Sequence, residues 1–150
     1  MLDAALPAYA RPLRDVTRNT SRLFRSPPMI LDHIGFNVRD FALSKAFYVR
    51  ALAPLGIVIL AQGDVWAMMG REGKPQFWFG ALGIPQTGVH LAFAATDREQ
   101  VRLFHEAALS AGGRDNGAPG LRPQYHANYY GAFVFDPDGN NIEAVHHYGA

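Results

Sequence analysis

The sequence has no cysteine. Disulfides, thiolate metal ligands and a cysteine nucleophile are thereby excluded. It also lacks an excess of either charge: 14 Lys and Arg stand against 13 Asp and Glu, a formal net charge of +1. Such a field is too weak to argue for nucleic acid or an anionic membrane as partner. No apolar stretch approaches the roughly 20 residues that span a bilayer, and the N-terminus carries no apolar signal core. These absences lead to the expectation of a soluble cytoplasmic protein. What is present is a chain of 150 residues, 49% apolar and 18% charged, which suffices for one compact domain or two small fused units.

Residues 1–28 read differently from the rest. Arg11, Arg14, Arg18, Arg22 and Arg25 face only Asp3 and Asp15, and Pro7, Pro12, Pro27 and Pro28 interrupt them. The segment shows no apolar periodicity and is expected to be a flexible leader or tail, with the folded domain occupying residues 29–150.

From Met29 onward one pattern occurs twice. The strand "MILDHIGFNV" is followed by Asp40 as a helix cap, by Leu43, Ala46, Phe47 and Ala51 at helical spacing, and by Pro54 and Gly56 as a stop. Three short strands, "GIVILAQ", "DVWAMMG" and "QFWFGAL", come next. The order then repeats. A strand at 87–95 precedes Asp97 as a cap, a helix with Val101, Phe104, Ala108 and Ala111 inward, and Gly112 and Gly113 as the stop. "GRDNGAP" is a poor strand by composition, whereas "YYGAFVFD" and "NNIEAVHH" around "DPDG" read as a hairpin. The expected fold is α+β: two tandem βαβββ modules, 29–83 and 87–147, whose mixed sheets curl around a central cavity with the helices outside.

Strand alternation selects the residues that face such a cavity. Ile34, Phe36 and Val38 share the side suited to packing under a helix, which turns His33, Gly35 and Asn37 the other way. His90 and Ala92 likewise oppose Leu91 and Phe93. Glu143, between Ile142 and Ala144, is a carboxylate inside an apolar strand, where desolvation is unfavourable unless a cation or donor meets it. Each histidine alone has a plain structural reading as a hydrogen-bonded strand residue, and Glu143 alone could answer an arginine. Together, two imidazoles and one carboxylate have the composition of a facial triad for a divalent metal, so His33, His90 and Glu143 are the candidate ligands.

The segment 120–133 is rich in Tyr and His. With a three-residue loop at "DPDG", Phe133 falls opposite Glu143 and the same face continues through Gly131 to Tyr129, beside His147. Tyr129, His126 and Glu143 are the candidate catalytic residues, and Asn37, Trp78 and Phe133 the candidate substrate contacts. Tyr125 and Tyr130 read as aromatics packed for burial, and His105 and His146 receive no role.

"LDHIGFNVRDFALSKAFYVRALAPLG", "GVHLAFAATDREQVRLFHEAALSAGG" and "GAFVFDPDGNNIEAV" resemble the vicinal oxygen chelate superfamily of glyoxalases, bleomycin resistance proteins and extradiol dioxygenases. The resemblance implies ligands on the first and last strands of each module, which places His33, His90 and Glu143 at ligand positions. It further implies a divalent Fe, Mn, Ni or Zn ion, a small-molecule substrate chelated through neighbouring oxygens, and a homodimer. At the fourth ligand position this chain has Phe77 and Trp78, with Gln76 nearby, so the four-ligand arrangement of a usual lactoylglutathione lyase does not carry over. The reaction stays open between a glyoxalase-related lyase, an isomerase and a dioxygenase. A drug- or metabolite-binding protein without turnover is the alternative.

Overall fold

Asp40 and Asp97 start the two helices as the sequence requires. Each adopts an extended backbone, and each carboxylate accepts the backbone N–H three residues on, from Leu43 and Gln100. The structure is a computed structural model that describes residues 30–147; the expected leader, residues 1–28, lies outside the described residues. The elements run β1 (Ile34–Asn37), α1 (Phe41–Ala51), β2 (Val58–Gln62), β3 (Trp66–Arg71), β4 (Lys74–Gly80), β5 (His90–Ala94), α2 (Arg98–Ser110), β6 (Arg114–Leu121), β7 (Tyr129–Phe135) and β8 (Asn141–His147).

They form two four-stranded mixed sheets of identical topology, β1-β4-β3-β2 and β5-β8-β7-β6. In each, the first strand pairs in parallel with the last, and the helix provides the crossover that a parallel pair needs. The α+β fold with tandem βαβββ modules is therefore present, with the two sheets open. The first strand is shorter than expected, beginning at Ile34.

One cluster of buried residues serves both modules. It joins Phe36, Phe47, Tyr48, Phe77 and Phe79 of the first to Val101, Phe104, Ala132, Val134 and Ile142 of the second. Phe77 and Phe93 meet edge to face, their ring centres 5.5 Å apart. The Tyr48 hydroxyl donates across the modules to Asp136, which also accepts from Asn140. The two helices contact each other, and α2 also packs on β6, β7 and β8.

Two local expectations are revised, and the weakest strand of the repeat is present. On α1 the inward residues are Ser44, Phe47, Tyr48 and Ala51; Leu43 is 53% exposed and Ala46 is exposed. The shared core draws in Tyr48, whose polar tip has a partner in Asp136, and the helix rotates accordingly. The glycine-rich segment after α2 does form a strand, β6, but its pairing with β7 slips at Gly117 and Gly120, as bulges at glycine allow. Tyr125 is 60% exposed, not packed for burial.

Candidate functional site

The parallel pairing of β5 with β8 places Ala92 beside Glu143, and the hairpin register sets Phe133 opposite Glu143 and Tyr129 opposite His147. The hairpin loop has Gly139 at φ 85°, a left-handed conformation that glycine adopts without strain. These registers assemble four side chains on one face of the second sheet. Glu143 is fully buried at 0% exposure. Its Oε2 lies 2.8 Å from His90 Nε2, and its Oε1 accepts from the Tyr129 hydroxyl. Gly131 makes the space: a Cβ there would lie 2.9 Å from Glu143 Oε1.

An ionised carboxylate only accepts, so within the chain the His90 proton resides on Nε2. Burial, then the hydrogen bond to and charge of Glu143, push the Tyr129 hydroxyl well above its ordinary range. It stays protonated at neutral pH as a donor to Glu143. Tyr129 also touches two imidazoles edge-on, His147 at 5.1 Å and His126 at 5.4 Å between ring centres. His126 Nε2 and His147 Nδ1 are 2.9 Å apart, so one ring donates a proton and the other accepts it.

The first sheet holds its expected residues differently. His33 immediately precedes β1, and its side chain, 66% exposed, bonds Asp32 Oδ1 at 2.9 Å. Trp78 lies beside Gly35 in the parallel register; a Cβ at Gly35 would meet Trp78 Cε3 at 2.8 Å. Asn37 is engaged with the segment after β4: its Oδ1 accepts from the Leu82 N–H, and its own N–H donates to Gln86 Oε1.

The structure thus brings His90, Glu143, Tyr129 and Phe133 together, with His126 at their edge, and leaves His33, Asn37 and Trp78 on the other sheet. Among the described residues no group of three His, Cys, Asp or Glu side chains could hold a metal ion. One chain supplies two adjacent donors, His90 and Glu143.

A cavity of about 320 Å³ opens on the second module, lined by His90, Asn116, Gly117, Arg122, Tyr125, Phe133 and Asn141. Asn116, Arg122 and Asn141 had no place in the sequence reading. Arg122 could have been suspected from "NGAPGLR", where two glycines precede an arginine within one strand length. Asn116 lies on the irregularly paired stretch of β6, which composition does not reveal, whereas Asn141 stands beside His90 in the parallel register. His105 pairs with Asp115 at 2.9 Å, and His146 Nδ1 contacts the Ala95 carbonyl, both away from the cavity lining.

Tandem βαβββ modules, each a four-stranded mixed sheet with one helix, define the class, a paired-module α+β protein. A sequence model described as the Glyoxalase/Bleomycin resistance protein/Dioxygenase superfamily matches residues 30–144, and the chain belongs to that superfamily. It is similar to a glyoxalase/bleomycin resistance protein from Albidiferax ferrireducens T118, with 31% identity, a TM-score of 0.70, and coverage of 79% of this chain and 99% of that one. Lactoylglutathione lyase from Agrobacterium tumefaciens shares the fold at 17% identity and a TM-score of 0.56, over 80% of this chain and 95% of that one. Glyoxalase I from Zea mays shares it at 22% identity and a TM-score of 0.58, over 77% of this chain and 43% of that one. No curated protein matches. No helix among the described residues is long and apolar enough to cross a membrane.

Proposed function

We propose that the protein is a metal-dependent enzyme acting on a small molecule through two neighbouring oxygens, a glyoxalase-related lyase or an extradiol-type dioxygenase, and that it works as a homodimer. The observation that carries this reading is Glu143, a fully buried carboxylate on the same sheet face as Phe133 and Tyr129, 2.8 Å from His90 Nε2. A buried carboxylate is unfavourable without compensation, and an imidazole and a carboxylate this close can bind one divalent ion.

His33 is the third ligand of this proposal, contributed by a second copy. Leu82, 61% exposed, and Ile84, 84% exposed, in the segment after β4 offer apolar surface to another molecule. A two-fold axis would bring His33 of each copy to His90 and Glu143 of the other. Bound there, an Fe, Mn, Ni or Zn ion would supply Lewis acidity toward adjacent substrate oxygens. Tyr129 orients the Glu143 carboxylate through its hydroxyl. His126 is the proton donor, exchanging its proton with His147. Phe133 and Trp78 form apolar walls, and Asn37 a polar rim.

The same hydrogen bonds favour a second reading. Both Glu143 oxygens are satisfied inside one chain by His90 and Tyr129, which suits a metal-free drug- or metabolite-binding protein. Metal analysis of protein purified without added metal separates the two. About one divalent ion per chain, removable by chelator and reduced in His90→Ala and Glu143→Ala, supports the enzyme. Metal-free protein that is indifferent to chelator supports the binder.

A further inference from the structure

Arg122 follows β6 and turns back over it. Its guanidinium carbon lies 5.4 Å from the centre of the Phe133 ring, a cation–π distance. Nη2 donates to the Ala118 carbonyl at 2.6 Å and Nη1 to the Leu121 carbonyl at 3.2 Å. Two glycines clear its path: a Cβ at Gly120 would lie 2.9 Å from Nη1, and one at Gly117 would lie 3.4 Å from Nη2 and 3.0 Å from Phe133. Three independent constraints therefore fix a side chain that is otherwise among the most mobile.

Among the described residues no carboxylate pairs with Arg122, and the one acid of β6, Asp115, is held by His105 and the Gly117 N–H. A guanidinium has five N–H donors in a planar fork, and the two carbonyls leave the others free. Arg122 lines the cavity together with His90, Tyr125 and the two asparagines. Phe133 links the two ends, since its ring also lies 6.3 Å from that of His90.

Resting on the site assignment above, we propose that Arg122 is the anion-reading residue of this cavity, and that the ligand is a small planar molecule carrying a carboxylate. The carboxylate meets the guanidinium fork, which matches it in geometry as well as charge. The body of the ligand spans the short distance to His90, and the Tyr125 ring borders it. A volume of about 320 Å³ lies at the small end of ligand pockets, which suits a one-ring or short-chain acid.

The test uses benzoate and benzamide, which share shape and differ in charge, titrated into chelator-treated full-length protein and followed by NMR. Neither chelates a metal through vicinal oxygens, so the outcome is independent of the metal assignment. Wild type is expected to prefer benzoate by about tenfold or more, the usual weight of a hydrogen bond to a charged group. Arg122→Gln should abolish the preference while keeping benzamide affinity. Arg122→Lys should reduce the preference without abolishing it, because Lys retains the charge and loses the fork; it carries the test should the Gln variant not fold. The proposal is overturned if wild type binds neither probe or both equally, if the preference survives both substitutions, or if Arg122→Gln weakens both probes alike.

Discussion

Trp78 stands beside Gly35 in the first sheet at the place where Glu143 stands beside Ala92 in the second. His33 and His90 each lie two residues before those small partners, so the repeat is symmetric in its imidazoles and asymmetric in its carboxylates. One module offers an indole where the other offers a buried acid. A site built from both modules would then have three protein ligands and keep positions open for substrate oxygens.

Trp78→Glu should restore the missing acid. Under the three-ligand account the variant binds Co(II) or Zn(II) roughly tenfold more tightly, equivalent to about 1.4 kcal/mol, although it loses the packing of indole on Gly35. Competition against a metal indicator measures this, and unchanged affinity would show that Trp78 lies away from the ion.

Gly131→Ala should act on Glu143 without touching its chemistry. The new methyl would sit 2.9 Å from Oε1, and the carboxylate has little room to yield because His90 and Tyr129 hold it. The expected result is a stability loss of about 1–3 kcal/mol from overpacking, together with weaker metal binding. A denaturant titration and a metal titration on the same variant check both.

Tyr48→Phe should destabilise the fold by about 1–3 kcal/mol, since Asp136 is left buried with one donor fewer. The substitution also has a pH signature. Burial first, then the charge of Asp136, raise the Tyr48 hydroxyl well above its ordinary value. The native state therefore keeps a proton that the unfolded chain releases above about pH 10, and stability falls as pH rises past that point. Tyr48→Phe should lose that part of the alkaline slope, as thermal melts between pH 8 and 11 would show.

The fold was legible because its punctuation is local. Asp40, Asp97, Gly112 and the "DPDG" loop fix where elements begin and end, and strand alternation separates Phe36 from His33 and Ile142 from Glu143. Long-range packing was less legible. Nothing in the α1 sequence announces that Tyr48 finds Asp136 across the modules, which turns Leu43 outward. Arg122 was only hinted at by the two glycines before it, because its place depends on β6 slipping at Gly117 and Gly120. That Glu143 joins His90 followed from matching positions in a repeat; the hairpin register put Tyr129 on the same face beside His147, while its bond to Glu143 came only with the packed side chains.

Deleting residues 1–28 should leave the melting temperature nearly unchanged. The superfamily match begins at residue 30, and the chain from Leu31 onward forms one compact unit. A large drop in a thermal melt would show that the segment contributes core.

We propose that a metal is held between two copies, by His33 of one and by His90 and Glu143 of the other. Mixed dimers test it most directly. His33→Ala and Glu143→Ala homodimers should each bind almost no divalent metal. A heterodimer of the two should recover one site of two, because one interface then receives an intact His33 from one copy and an intact His90 and Glu143 from the other. Full metal occupancy in the His33→Ala homodimer, or no recovery in the heterodimer, would contradict the account.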